Sequence, residues 1–101
     1  MTDEELNKKL CELREMKEKF KASVFSAISN ELCDGNGPLG CEMKFQDLVS
    51  LLKDRFDFDY EGSDEYDGVH EFEGEEYRLY VFPANFSTEQ DAMVIESMYM
   101  E

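Results

Sequence analysis

A chain of 101 residues has room for one hydrophobic core and not for two. Apolar residues make up 42% of it, with eight Phe and five Tyr, enough to bury a core and to exclude whole-chain disorder despite the charge. Its 25 acids and 10 bases give a net charge of −15, which repels nucleic acid and anionic membranes and attracts basic surfaces.

The acidic excess is unevenly placed. Residues 1–56 hold eleven acids and nine bases, a net of −2, whereas 57–101 hold fourteen acids and the single base Arg78, a net of −13. From Asp57 to Glu76 there are ten acids in twenty residues and no Lys or Arg. Apolar runs are pairs and triplets such as Leu51-Leu52 and Tyr80-Val81-Phe82, far short of the roughly 20 residues of a membrane span. The acidic start, Met1-Thr2-Asp3-Glu4-Glu5, leads into a helical pattern and does not read as a signal peptide. Cys11, Cys33 and Cys41 are odd in number and lack the spacing of a disulfide framework. A reducing, cytoplasmic setting is the expectation, that of the host cell if the chain is viral.

In chain order, residues 3–33 read as one long amphipathic helix. Leu6, Leu10, Leu13, Phe20, Val24, Ile28 and Leu32 recur at helical steps, with Met16 beside the stripe. Thr2 and Glu5 form a capping box, Glu4–Lys8, Glu5–Lys9 and Glu15–Lys19 are opposite charges at i,i+4 spacing, and Gly35 is a left-handed stop. A continuous helix of this length, roughly 46 Å, exceeds the width of so small a domain. It must bend near Ala22-Ser23 or project toward a partner.

Asp34-Gly35-Asn36-Gly37-Pro38 is a loop by composition, and Cys41 to Lys44 suits an extended segment. A second helix is expected over about Phe45 to Phe56. At Asp57 the period changes, and Asp57-Phe58-Asp59-Tyr60-Glu61 alternates as a short strand. Gly62 to Gly68 is a loop. Val69 to Phe82 reads as a hairpin around Glu73-Gly74-Glu75-Glu76, pairing Phe72 with Tyr77, His70 with Leu79 and Glu71 with Arg78. Tyr77 to Phe82 is the expected central strand, ended by Pro83, and the capping box Ser87-Thr88-Glu89-Gln90 opens a last helix to about Met100. The expected fold is α+β over a single domain, 1–101: a long N-terminal helix, a second helix, a small antiparallel sheet of two or three strands and a C-terminal helix.

Catalysis finds little support. His70 is the one histidine, in an expected strand beside Phe72, and nothing in the sequence brings a nucleophile to it. No glycine-rich phosphate loop follows a strand. The chain is read as a non-enzyme without a cofactor. Asp57-Phe58-Asp59-Tyr60-Glu61-Gly62 mimics the opening of an EF-hand calcium loop, but the twelfth position is Gly68 and the eighth Asp64. Zinc held by Cys11, Cys33, Cys41 and His70 lacks any short Cys-x-x-Cys pair; buried small side chains or inert thiols suit these cysteines better. No metal site is assigned.

The remaining signal is the acidic block interleaved with aromatics. Same-face residues of a strand lie about 6.8 Å apart, and duplex DNA carries one charge per roughly 3.4 Å of axis on each strand. Neighbouring acidic edges, Asp57-Asp59-Glu61 and Glu71-Glu73, therefore approach the density of phosphates, and a groove that reads phosphate through Lys and Arg would accept them. The contact residues assigned on this basis are Asp57, Asp59, Glu61, Asp64, Glu65, Asp67, Glu71, Glu73, Glu75 and Glu76, with Tyr60 and Tyr66; Tyr77 and Tyr80 add aromatic area. In size and acidity the chain resembles phage-encoded DNA mimics and anti-CRISPR or anti-restriction proteins.

The expected function is an inhibitor that occupies the basic nucleic-acid-binding site of a target protein, without binding nucleic acid or membrane itself. One alternative is an immunity protein or antitoxin that neutralises a basic nuclease toxin. Another is an intracellular adaptor that binds through the long helix. The sequence leaves monomer and dimer both open.

Overall fold

A computed structural model of the chain describes residues 2–63 and 68–101. The elements are α1 (Asp3–Leu32), β1 (Glu42–Met43), α2 (Phe45–Phe56), β2 (Asp59–Ser63), β3 (His70–Glu73), β4 (Arg78–Ser87) and β5 (Ala92–Met100). The five strands form one antiparallel sheet in the order β1-β5-β4-β3-β2.

α1 starts where its sequence directs. The Thr2 hydroxyl accepts the Glu5 N–H at 3.3 Å, and Asp3, Glu4 and Glu5 fill the first turn, where the helix dipole favours negative charge. The helix runs unbroken through Ala22-Ser23 for 30 residues, about 45 Å, in a molecule whose extents are 55 × 31 × 22 Å. Only its second half meets a core: Val24 and Ile28 are fully buried, and Phe20, Phe25 and Leu32 pack against them. Leu6, Leu10, Leu13 and Met16 stay 48% to 62% exposed, so the first half projects. The helix stops where Asp34 and Gly35 turn left-handed, at φ 53° and 84°. The Ser29 carbonyl accepts from Cys33 and Gly35 N–H, and the Ser29 hydroxyl accepts from Gly37 N–H at 2.7 Å.

α2 buries Phe45, Leu48, Leu51 and Leu52 and is tied to α1 by an Arg55–Glu31 ion pair. Its N-cap residue, Lys44, offers no side-chain acceptor. Asp91 supplies one from the β4–β5 turn, accepting the Gln46 N–H at 3.2 Å across 45 residues of sequence. Asp57 closes the helix in the left-handed region, at φ 57°.

The helices cover one face of the sheet. Tyr60, Phe72, Leu79 and Met100 form one cross-strand row on that face, and His70, Val81 and Met98 form the next. Except for Tyr60 these residues are buried, with Phe58, Met93 and Ile95 beside them. The opposite face is open.

Three expectations from sequence are corrected here. The C-terminal helix is absent: residues 92–100 are β5, the sheet has five strands rather than two or three, and β1 and β5 complete it. The Ser87 hydroxyl does accept the Gln90 N–H at 3.3 Å, but it closes a turn and starts no helix. The β3–β4 hairpin pairs His70 with Val81, Glu71 with Tyr80, Phe72 with Leu79 and Glu73 with Arg78. The pairing therefore slips by two residues and the turn sits one position later than expected, over 74–77, with Gly74 N–H on the Tyr77 carbonyl at 2.9 Å. A slip of two keeps every side chain on its face; it releases Tyr77 to stack on Phe20 and sets Glu73 opposite Arg78. Pro83 does not end β4 either, because register shifts at Phe82/Pro83 and Pro83/Asn85 carry the strand on to Ser87, and proline is tolerated at such bulges.

The cysteines differ from expectation as well. Cys33 and Cys41 are joined as a disulfide across the α1–β1 loop, and Cys11 is exposed on the projecting half of α1. Among the described residues no helix is long and apolar enough to cross a membrane.

Candidate functional site

Strand alternation sends His70 and Phe72 into the core and turns Glu71 and Glu73 to the open face. Pairing then sets Asp59 of β2 directly opposite Glu73, and Glu73 opposite Arg78. The next row on the same face is Glu71, Tyr80 and Tyr99. Neighbouring strands lie about 4.8 Å apart, so Asp59, Glu71 and Glu73 form a dense carboxylate group at one side of a tyrosine-bearing sheet. Glu61 is exposed at the register shift between Tyr60 and Gly62.

Counter-charge on this side comes from Arg78 opposite Glu73, from Lys17 of α1, whose ammonium lies 5.7 Å from the Tyr99 ring centroid, and from Lys53. Lys53 of α2 reaches Asp59 at 2.7 Å and Asp57 at 3.2 Å, and these contacts, that with Asp59 first, raise the lysine pKa above its ordinary value. Asp57 is thus a helix cap beside the strand pair and not a member of it. Glu75 and Glu76 lie in the exposed β3–β4 turn. The assigned contact residues Asp64, Glu65, Tyr66 and Asp67 lie outside the described residues.

The aromatics divide between the two faces. Tyr60 packs its ring on Phe45, His70 and Phe72, and its hydroxyl shares a 3.0 Å hydrogen bond with His70 Nδ1; burial raises its phenol pKa. Tyr60 is therefore more a core-edge residue than a contact residue, although 37% exposed. Tyr80 and Tyr99 lie on the open face with ring centroids 6.1 Å apart, and the Tyr80 hydroxyl donates to Glu101 at 3.2 Å. Tyr99 and Glu101 are not legible as sheet neighbours when residues 87–100 are expected to form a helix. The signal that would have found them is the alternation of Met93 with Ile95 and of Met98 with Met100, all buried, which is interrupted at Glu96-Ser97.

His70 is buried between Phe45 and Phe86, where loss of solvent lowers its pKa. Tyr60 is its partner at Nδ1, and Nε2 has none among the described residues. The EF-like spacing is not wound around a point, because Asp57 caps α2 and Asp59 and Glu61 extend along β2. Among the described residues no three His, Cys, Asp or Glu side chains are grouped to hold a metal ion. No protein-family model matches the chain, and neither curated proteins nor solved structures contain a significant match to it.

Proposed function

We propose that the protein is a non-catalytic inhibitor whose acidic sheet face occupies the basic nucleic-acid-binding site of a target protein. The observation that carries the reading is the pairing of β2 with β3, which seats Asp59 against Glu73 and leaves Glu71 alongside Tyr80 and Tyr99. Carboxylates about 4.8 Å apart across strands and about 6.8 Å apart along them are spaced to meet Lys and Arg side chains that otherwise hold phosphates. The tyrosines supply apolar area with few rotamers to freeze. An immunity protein facing a basic nuclease would use the same surface. A cytoplasmic encounter goes with the bond between Cys33 and Cys41 being open, since the thiol pool there keeps most cysteines reduced; the acidic face does not depend on that bond.

The test is capture from host lysate on immobilised protein, followed by competition. The expected partners bind nucleic acid, and labelled nucleic acid and this protein displace each other from them. Partners that hold both at once contradict the proposal. A second reading, an adaptor that binds through α1, is favoured by one observation: Leu6, Leu10, Leu13 and Met16 form an exposed apolar stripe on the projecting half of the helix. Its capture would be insensitive to salt.

A further inference from the structure

The strongest unassigned feature is a cavity of about 250 Å³ where α1, the end of α2 and the β3–β4 turn meet. Its walls are rings. Phe20 stacks on Tyr77 at 5.2 Å between centroids and 27° between planes, meets Phe56 edge-on at 5.7 Å, and lies 5.9 Å from Phe58. Its remaining lining is acidic or backbone: Asp57, Glu75, Glu76 and Gly74. Asp57 is engaged by Lys53, whereas Glu75 and Glu76 make no ion pair among the described residues.

Gly74 shows how closely the cavity is built. A Cβ at this position would stand 2.9 Å from Phe58 Cε1 and 3.0 Å from Cδ1, so only glycine lets the turn close onto that buried ring. Its φ lies outside the left-handed region, so close approach is what requires the residue, and the turn's conformation does not.

We infer that this cavity is an anchor site for a cationic side chain, an arginine of the basic partner. Aromatic walls attract a guanidinium through the ring quadrupole and let its planar group stack. Exposed carboxylates at the opening supply counter-charge without a lysine to compete at Glu75 or Glu76. An apolar ligand would gain nothing from those carboxylates, and an anion would be repelled by them. The inference rests on the proposed function, since it names the side chain that a basic partner inserts beside the acidic strands.

The test uses the full chain and a small probe, N-acetyl-arginine methylamide, with its neutral citrulline counterpart as control. Titration followed by NMR is expected to give saturable shifts at the Gly74–Tyr77 amides and at the ring protons of Phe20, Phe56 and Tyr77. The citrulline probe is expected to bind about tenfold more weakly, and Glu75→Gln/Glu76→Gln is expected to weaken the arginine probe similarly while the amide spectrum keeps its folded dispersion. Asp59→Asn/Glu71→Gln/Glu73→Gln, which leaves the cavity lining intact, is expected to leave the probe's affinity within a factor of two or so. Equal shifts from both probes, or shifts spread over β2 and β3 and lost with the Asp59/Glu71/Glu73 variant, overturn the inference. If partner capture depends on Asp59, Glu71 and Glu73 while the cavity ignores arginine, the cavity falls and the acidic-face reading stands. If the cavity binds arginine while capture ignores those three acids, the cation site stands and the acidic face is not the contact.

Discussion

His70 has Phe45 and Phe86 at ring-centroid distances of 4.7 and 4.6 Å, surroundings that hold an imidazole but not an imidazolium. Its pKa in the folded protein therefore lies below 6.5, with desolvation as the cause. As pH falls through 6.5 the unfolded chain takes up the proton first. The stabilisation by neutral His70 is thus whole above that pH and is lost progressively toward the lower folded pKa, with a limiting slope of about 1.4 kcal/mol per pH unit for one proton. Urea denaturation between pH 7.5 and 5.5 is expected to show this loss in the wild type and a flatter profile in His70→Phe; equal slopes would remove His70 from the account. The methyl of Gly74→Ala meets Phe58 at 2.9 Å, so either this buried ring shifts against the cavity it lines or the turn moves away. A loss of about 1–3 kcal/mol is expected from overpacking, measured by the same unfolding experiment.

Elements differ in how far local sequence decides them. α1 and α2 were legible because their apolar residues keep a helical period, and α1 also carries local end signals, Thr2 at its start and Gly35 beyond its end. β5 was not legible. Ser87-Thr88-Glu89-Gln90 satisfies a capping pattern, and the Ser87–Gln90 hydrogen bond forms as that pattern demands, yet pairing with β4 outweighs helix propagation once Met93, Ile95, Met98 and Met100 can all be buried. The period-two signal of 92–100 breaks at the register shift opposite Pro83, so no uninterrupted alternation marks the strand. Caps from distant residues are equally invisible: Asp91 caps the start of α2 from 45 positions away. The acidic pair β2–β3 was legible as two alternating segments, although β2 runs Asp59–Ser63 where Asp57 to Glu61 was expected, with Asp57 drawn into the α2 cap; its neighbours Tyr80 and Tyr99 required the register and β5. These differences have measurable consequences. Amide exchange is expected to protect β5 as strongly as β4 and to leave the first turns of α1 unprotected; fast exchange across 92–100 would contradict the sheet. Ile28→Ala is expected to cost about 2–5 kcal/mol, as a fully buried truncation does, whereas Leu10→Ala, at 52% exposure, should stay within about 0.5 kcal/mol.

Over the whole molecule, charge and shape are divided. A net of −13 belongs to the segment that forms α2's cap and strands β2 to β5, against −2 for the segment that forms α1, β1 and α2. Such a field lowers stability by self-repulsion, so added salt and neutralisation of the acidic face are both expected to raise the melting temperature.

Comparison of two charge-neutralised variants against wild type in partner capture is the most direct test of this account. One variant carries Asp59→Asn, Glu61→Gln, Glu71→Gln and Glu73→Gln; the other carries Glu4→Gln, Glu12→Gln, Glu15→Gln and Glu18→Gln. The sheet variant is expected to lose capture by at least tenfold, since charges desolvated in a contact cost roughly 2–5 kcal/mol when their partners are left unpaired. The helix variant should bind as the wild type does, with a steep fall from low to high salt that the sheet variant lacks. Loss of capture in the helix variant together with full capture in the sheet variant would contradict the account and move the contact to the stripe of Leu6, Leu10, Leu13 and Met16.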